Sequence, residues 1–284
     1  MSERTPHAPW NPTRLVRVVE SYDTSMGTTK VKTDATFGYL KAMGNRQGPH
    51  ALAADWVGSA LGRWFGLSVP DTAIMPLPPS ACFDLPRGVR TGPGPAFISR
   101  HVNGRTWGGS EAELRTVENR SDITRLIVFD NWMRNCDRHP PDLSMRKPNY
   151  ANVYLADIER SGRTRIVPID HTHCFDCGRD FSDRLSHIDQ IKDERTYGLF
   201  PAFKAFISIS ELLWSKAMLR ALRRDVIAGI EAGIPAEWQV APPAAEALIA
   251  QVYGRAAFIA DRIEAGWLQN EQTCLPPAEK PGDI

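Results

Sequence analysis

The passage from residue 121 to residue 171 constrains the fold more than any other part of the sequence. A helix-prone segment that begins near Ser121 leads into a polar loop, and two short β-prone segments follow, 152–156 and 164–169. Ser161-Gly162 is a turn signal between these two segments, so we expect them to pair as an antiparallel hairpin. Such pairing brings the beginning of the first strand close to the end of the second strand.

This hairpin is expected to bring three oxygen-bearing side chains around one loop. Asn152 begins the first strand, Asp170 follows the second strand, and Asp137 lies in the polar loop between the helix and the hairpin. Two carboxylates and one carboxamide suit Mg²⁺, which takes few protein ligands and leaves its other positions to phosphates and water. The pattern indicates phosphoryl transfer, in which one Asp accepts the proton of a hydroxyl while an Asn and a second Asp hold the metal.

The first third of the chain contains a candidate phosphate-binding cation. Lys41 ends a β-prone segment in which it shares one face with Tyr39, and apolar residues then recur every four positions from 52 to 65. That spacing predicts an amphipathic helix, and the helix carries Asp55. A strand lysine followed by a helix carboxylate is the order that phosphoryl transfer uses to position a lysine on phosphates. Backbone N–H groups at Gly27-Thr28-Thr29 are a candidate phosphate cradle, although an ordinary turn fits the same residues.

The order of these segments resembles that of the HipA-like kinases, which are distantly similar to protein kinases and to phosphatidylinositol kinases. The resemblance covers most of residues 15–265 and is carried by Tyr39-Leu40-Lys41, Ala53-Ala54-Asp55-Trp56, Gly66-Leu67-Ser68-Val69-Pro70, Asn135-Cys136-Asp137-Arg138-His139, Asn152-Val153-Tyr154-Leu155, Ile169-Asp170-His171 and Ile234-Pro235-Ala236-Glu237-Trp238. It implies an α+β, two-lobed kinase-like fold with ATP bound between the lobes. The expected domains are a β-rich N-lobe at 1–98, a hinge and mostly helical C-lobe at 99–272, and a flexible tail at 273–284.

Carried over residue by residue, the resemblance implies that Asp137 is the catalytic residue and that Asn152 and Asp170 hold Mg²⁺. The candidate ATP-binding residues are Lys41, Thr28, Asp55, Ser99, Val102 and His139, with main-chain groups of 99–102 facing adenine. The implied reaction is ATP- and Mg²⁺-dependent transfer of the γ-phosphoryl group to a hydroxyl. A Ser or Thr of a protein substrate is the expected acceptor.

The sequence departs from the family pattern at two places. Asp55 stands where the family usually has Glu, and its side chain is one methylene shorter, which puts its ion pair with Lys41 in question. Asp142 occupies the near position after Asp137, whereas Asn152 follows an apparent insertion at 143–151. Asn152 is the preferred metal ligand because it opens a strand, and Asp142 is the alternative. The departures also fit an inactive, nucleotide-binding pseudokinase, and a lipid or small-molecule acceptor is compatible with the same motifs.

A histidine- and cysteine-rich segment follows Asp170 and has a possible zinc interpretation. A structural zinc site needs four ligands, commonly arranged as two close pairs. The segment has one close cysteine pair, and the other cysteines are remote; the residues concerned are His171, His173, Cys174, Cys177, His187, Cys82, Cys136 and Cys274. We therefore expect a loop in which Cys174 and Phe175 pack inward.

Asp137-Arg138, taken alone, would also fit a surface ion pair.

Composition excludes several other function classes. The chain has 34 Lys and Arg against 33 Asp and Glu, a formal net charge of +1, which argues against a dedicated nucleic-acid-binding protein. No stretch approaches the roughly 20 apolar residues that span a bilayer, and residues 1–11 lack the apolar run of a secretory signal. Five scattered cysteines do not indicate a disulfide framework, so a cytoplasmic location is expected. The prolines between 76 and 95 predict a loop.

Overall fold

A computed structural model describes residues 10–159 and 161–268 of the chain. The predicted tail at 273–284 and the last four residues of the predicted C-lobe lie outside the described residues. The strands are β1 Leu15–Ser21, β2 Thr29–Thr33, β3 Phe37–Lys41, β4 Thr72–Leu77, β5 Gly94–Arg100, β6 Gly104–Thr106, β7 Val153–Asp157 and β8 Thr164–Pro168. The helices are α1 His50–Trp64, α2 Glu111–Arg115, α3 Ser121–Met133, α4 Cys174–Cys177, α5 Ile188–Ile191, α6 Ile209–Ala221, α7 Arg224–Glu231 and α8 Pro242–Glu264.

The N-terminal region is a five-stranded antiparallel sheet in the order β1-β2-β3-β5-β4. Lys41, at the end of β3, pairs with Phe97 of β5, and Tyr39 pairs with Ser99. The predicted strand that ends at Lys41 is confirmed as β3, whereas β2 and β4 were not predicted. Because β4 extends to Leu77 and β5 begins at Gly94, the proline-rich connection is shorter at both ends than the predicted loop.

Helix α1 connects β3 to β4 and joins the sheet to the helical region. Its apolar residues, such as Leu52, Val57 and Leu61, are fully buried in a cluster that includes side chains of α3 and α8. Burying each of these side chains stabilises the fold by about 1.5–3 kcal/mol. A separate, smaller apolar cluster is formed mainly by buried side chains of β2, β3, β4 and β5.

Gly58 of α1 allows the segment that follows β8 to approach the helix closely. A Cβ atom at this position would lie 2.5 Å from Cβ of His171. Any larger residue would therefore displace either the helix or the chain next to Asp170.

The predicted hairpin is confirmed as β7 and β8, which pair from Val153–Pro168 to Asp157–Thr164, with β6 as a third strand beyond β7. The N–H group of Ile169 donates a 3.1 Å hydrogen bond to the carbonyl of Asn152. This bond extends the pairing by one step and places residue 152 beside the residue that precedes Asp170.

The C-terminal half is mostly helical, so the α+β prediction is confirmed. Helices α3 and α8 pack together, and Trp132 Nε1 of α3 donates a 2.8 Å hydrogen bond to the carbonyl of Val252 in α8. The predicted division between residues 98 and 99 falls inside β5, because that strand continues to Arg100. Within the described ranges, no helix has both the length and the apolar character required to cross a membrane.

Candidate active site

A cavity of about 430 Å³ lies between the five-stranded sheet and the β7–β8 hairpin. Seven of the nine predicted site residues line it: Thr28, Lys41, Asp55, Ser99, Val102, Asn152 and Asp170. Asp137 and His139 are not part of this lining. The cavity therefore gathers residues that are more than 100 positions apart in the sequence.

Lys41 is buried at one side of the cavity between two carboxylates. Its Nζ lies 2.6 Å from Asp55 Oδ2 and 3.1 Å from Asp170 Oδ1, and the side chains of Lys41 and Asp55 are only 8% and 2% exposed. Asp55 therefore reaches Lys41 despite its shorter side chain. Burial by itself would lower the pKa of Lys41, but the carboxylates of Asp170 and Asp55 outweigh it and raise that pKa above its ordinary value.

Asp55 also connects α1 to the segment that follows β8. Its Oδ1 accepts a 2.6 Å hydrogen bond from the N–H of His171. Burial raises the pKa of Asp55 to about 6, against the opposing effect of Lys41 and of that N–H group. The carboxyl is therefore mainly ionised at neutral pH, and both of its oxygens are used to position neighbouring groups.

Asp170 follows β8 with φ at +57°, a conformation that turns the chain sharply at this residue. Thr172 Oγ1 donates a 2.7 Å hydrogen bond to Asp170 Oδ1, the oxygen that also faces Lys41. Burial would raise the pKa of Asp170, but Lys41 and the Thr172 hydroxyl outweigh it and hold that pKa well below its ordinary value. Asp170 is therefore a carboxylate throughout the neutral range.

Asp137 receives hydrogen bonds from two residues of the predicted insertion and from Asn152, which follows it. Asn152 Nδ2 lies 2.7 Å from Asp137 Oδ2, Asn149 Nδ2 lies 3.1 Å from the same oxygen, and Arg146 Nη1 lies 2.6 Å from Oδ1. Asp142 instead lies on an exposed turn, where it accepts hydrogen bonds from Ser144. Asn152, rather than Asp142, is therefore adjacent to Asp137.

The oxygen donors present suit a hard divalent cation. The Nδ2 group of Asn152 is used by Asp137, which leaves its Oδ1 available, and Asp170 Oδ2 has no hydrogen-bond partner among the described residues. Both side chains line the same cavity. A carboxylate and a carboxamide oxygen, with open space for water and phosphates, fit Mg²⁺ better than a softer metal.

Arg138 is an important residue whose role the sequence did not reveal. It is fully buried, forms an ion pair with Asp130 of α3, and donates hydrogen bonds to the carbonyls of Asn152 at 3.2 Å and Ile169 at 3.1 Å. The surface ion pair considered for Asp137-Arg138 is therefore wrong, because Asp137 pairs with Arg146. Arg138 holds the loop that follows α3, β7 and the end of β8 in fixed relation.

Thr28, Ser99 and Val102 line the cavity, but some of their main-chain groups are already bonded. The N–H of Thr28 donates to Thr24 Oγ1 at 3.0 Å, so in this structure it is used within its own turn. The carbonyl of Val102 accepts a 3.3 Å hydrogen bond from the hydroxyl of Tyr154, a residue whose involvement was not predicted.

His139, a predicted ATP-binding residue, is not among the residues that line the cavity. Its ring packs edge-on against Phe200, with ring centroids 5.1 Å apart, and its carbonyl accepts a 2.9 Å hydrogen bond from Gly198. Burial lowers the pKa of His139, so the ring is neutral at physiological pH. His139 therefore helps to pack the loop that follows α3 against the helical region.

The histidine- and cysteine-rich segment forms a packed loop. Cys174 and Phe175 are both 1% exposed, as predicted. Among the described residues, no three His, Cys, Asp or Glu side chains are grouped so as to hold a metal ion.

Two solved kinase structures match the chain, and one of them supports a kinase fold. The crystal structure of the Helicobacter pylori proinflammatory kinase CtkA matches with a TM-score of 0.55 and 13% sequence identity, covering 94% of this chain and 99% of that chain. The Mycobacterium tuberculosis PknI kinase domain aligns over 91% of this chain and 94% of that chain at 13% identity, with a TM-score of only 0.26. The match to CtkA confirms the predicted two-lobed, kinase-like fold.

The comparison with curated proteins found no match. The sequence profile of the HipA-like kinases, however, matches residues 31–255, which is most of the chain and includes Lys41, Asp137, Asn152 and Asp170. The chain therefore belongs to the HipA-like kinase family.

Proposed function

We propose that this protein transfers the γ-phosphoryl group of ATP, with Mg²⁺, to the hydroxyl of a Ser or Thr in a protein substrate. One observation carries the proposal: Lys41, Asn152 and Asp170 line a single cavity, and Asn152 also donates a hydrogen bond to Asp137. A cation for phosphates, two metal-ligand oxygens and a carboxylate base are the groups that phosphoryl transfer requires.

Lys41 binds phosphate oxygens of ATP in this proposal. An ammonium group has three N–H donors. The contacts with Asp55 and Asp170 use two of them, so one donor can turn toward the cavity. Because these carboxylates keep Lys41 charged and oriented, the lysine does not need to reorganise when the nucleotide enters.

Asn152 and Asp170 would hold Mg²⁺ through Asn152 Oδ1 and Asp170 Oδ2. When bound there, the metal would neutralise charge on the phosphate oxygens. The protein fixes both ligands in advance, since Asp137 orients the carboxamide of Asn152 and Thr172 orients the carboxylate of Asp170. Arg138 supports the two positions by binding the carbonyls of Asn152 and Ile169.

Asp137 orients the acceptor hydroxyl and accepts its proton. A bond forms between the acceptor oxygen and the γ-phosphorus, the bond from that phosphorus to the bridging oxygen breaks, and ADP leaves with the electron pair. General-base groups of this kind contribute about 10²- to 10⁴-fold to the rate. Adenine would lie against the chain at 99–102, where the carbonyl of Val102 is shared with the Tyr154 hydroxyl.

Incubation of the purified protein with ATP and Mg²⁺, in the presence of mixed Ser- and Thr-containing peptides, tests this function. We expect ATP-dependent mass increases of one phosphoryl group, measured by intact-mass spectrometry. Asp137→Asn should lower the rate by at least about 10²-fold because the amide cannot accept the proton. The matched control is Asp142→Asn, an exposed carboxylate on the same loop, which should retain most of the activity.

An inactive pseudokinase is the main competing function. The two sequence departures that favoured it are compensated, because Asp55 lies 2.6 Å from Lys41 and Asn152 lies 2.7 Å from Asp137. If ATP raised the melting temperature while the wild-type protein transferred nothing to any acceptor, the pseudokinase function would replace the one proposed here. A panel that includes lipid and small-molecule hydroxyls tests the acceptor class.

The proposal includes a cytoplasmic location, based on the scattered cysteines.

A further inference from the structure

Both oxygens of the Asp137 carboxylate are occupied by side-chain donors. Oδ2 accepts from Asn152 and Asn149, and Oδ1 accepts from Arg146 at 2.6 Å. A general base must lie within about 2.6–3.2 Å of the hydroxyl whose proton it takes. An acceptor can therefore use Asp137 well only if one of these donors moves away.

Arg146 is the donor that can leave most easily. Asn152 is 5% exposed and lines the cavity, and the Asn149 side chain is tied to the chain through a 3.2 Å hydrogen bond from the N–H of Ala151. The Arg146 side chain is 37% exposed, and Asp137 is 16% exposed. Partly exposed ion pairs contribute little to stability, so the guanidinium can exchange partners at low cost.

The loop that carries Arg146 has a fixed base and an open tip. The N–H of Asn149 donates a 2.9 Å hydrogen bond to the carbonyl of Arg138, which closes residues 139–148 into an excursion from the catalytic loop. The tip exposes two apolar side chains, Leu143 at 58% and Met145 at 83%. A protein segment that approaches Asp137 from solvent would cover this tip and meet Arg146.

We propose that Arg146 selects acceptor segments in which an acidic residue flanks the phosphorylated Ser or Thr; this inference rests on the proposed function. The flanking carboxylate pairs with the guanidinium of Arg146 in the two-pronged geometry that arginine favours. Arg146 then leaves Asp137 Oδ1, and that oxygen accepts the hydrogen bond and later the proton of the acceptor hydroxyl. Next to a basic flanking residue, Arg146 stays on Asp137 and the base remains covered.

Two degenerate peptide libraries, each with a fixed central Ser or Thr, test the selection. One library carries Asp or Glu on both sides of the acceptor, the other carries Lys or Arg, and phosphate incorporation is measured with the whole 284-residue chain. We expect the wild-type protein to prefer the acidic library by about tenfold or more, as one well-formed charge pair allows. Arg146→Ala should bring that ratio close to one, mainly by raising KM for the acidic library and kcat for the basic one.

Three further variants separate this contact from general electrostatics. Arg146→Glu should reverse the preference, and Arg146→Lys should restore part of it. Lys147→Ala is the matched control, because it removes the same charge from an exposed neighbour that has no hydrogen bond or ion pair with Asp137 among the described residues, and it should leave the ratio unchanged.

The possible outcomes distinguish the inference from the proposed function. If the wild-type protein binds ATP but phosphorylates neither library, the proposed function is overturned and this inference with it. If transfer occurs but Arg146→Ala keeps the wild-type ratio, only the role of Arg146 is overturned. An equal loss on both libraries would also overturn it, because Arg146 would then serve the transferring phosphoryl group and not the acceptor.

Discussion

The candidate site has two sides that differ in how their charges are held. In the proposed function, the nucleotide side consists of Lys41, Asp55 and Asp170, and the acceptor side consists of Asp137 and Arg146. The Lys41 and Asp55 side chains are 8% and 2% exposed and that of Asp170, which faces the cavity, is 31% exposed, whereas those of Asp137 and Arg146 are 16% and 37% exposed. The Lys41–Asp55 pair is thus enclosed, whereas the Arg146–Asp137 pair has its cation open to solvent.

This difference distinguishes a rigid part of the site from a part that can rearrange. Removing one partner from a buried ion pair leaves an uncompensated charge, which is strongly destabilising. Removing one partner from an exposed pair has little effect on stability. The nucleotide side is therefore fixed by folding, while the acceptor side can be rearranged by the molecule that binds there.

The largest expected effect is on catalysis at the nucleotide side. Asp170→Asn should lower phosphoryl transfer by about 10³-fold, because it removes a metal ligand and a partner of Lys41 at the same time. Arg146→Ala, assayed alongside with an unselected peptide mixture, should change the rate by less than about tenfold. Initial rates from intact-mass spectrometry compare the two variants, and equal losses would contradict the distinction between the two sides.

The next effect is on stability. Lys41→Met should lower the free energy of unfolding by about 3–5 kcal/mol, because it leaves Asp55 buried without its cation. Arg146→Ala should change that free energy by no more than about 0.5 kcal/mol. Urea denaturation followed by tryptophan fluorescence measures both. A Lys41→Met variant as stable as the wild-type protein would show that the nucleotide side is not the rigid part.

The hairpin and its site residues could be predicted because local signals agree there. Ser161-Gly162 and two β-prone segments determine the pairing. This local pairing brings Asn152 close to Asp170. By contrast, β2 and β4 were not predicted. The lysines of β2 alternate with residues that only the completed sheet buries, and β4 ends inside a proline-rich stretch.

The roles of Arg138 and Arg146 could not be predicted from their neighbours in the sequence. Arg138 follows Asp137 directly but turns inward to Asp130, a residue on α3, and to two main-chain carbonyls. Arg146 reaches Asp137 only because the chain closes on itself at Asn149. Both contacts depend on the path of the loop, and residue types and their spacing do not predict that path.

Gly58 offers a subtler change to the nucleotide side. Gly58→Ala should destabilise the protein by about 1–3 kcal/mol, because the new Cβ would lie 2.5 Å from Cβ of His171. It should also reduce transfer, since Asp170 precedes the displaced residue. Gly62→Ala is the matched control in the same helix: its Cβ would meet only ordinary contacts, 3.5 Å from Phe129, and it should be neutral or slightly stabilising. Thermal melts and transfer rates of both variants test this, and equal behaviour would contradict it.

The smallest expected effect is a pH dependence of stability that comes from Asp55. Burial raises its pKa to about 6, above the model-peptide value of 3.8, so between pH 4 and 6 the folded state binds more protons than the unfolded state. The contribution of Asp55 to stability therefore falls as the pH rises through this window and is constant above it. Asp130, whose pKa burial also raises to about 6, adds a slope of the same sign.

Asp55→Asn should reduce this slope, as measured by urea midpoints at pH 4, 5 and 6. Asp142→Asn is the control, because hydrogen bonds from Ser144 lower the pKa of Asp142, so any slope from this carboxyl has the opposite sign. A wild-type slope that survives Asp55→Asn unchanged would contradict the assignment.

A crystal structure with a non-hydrolysable ATP analogue and Mg²⁺ tests the central claim most directly. We predict a metal ion at about 2.0–2.1 Å from Asn152 Oδ1 and Asp170 Oδ2, with a phosphate oxygen on Lys41 Nζ and the γ-phosphate facing Asp137. A triphosphate bound away from Lys41, or a metal held by Asp142 in place of Asn152, would contradict it.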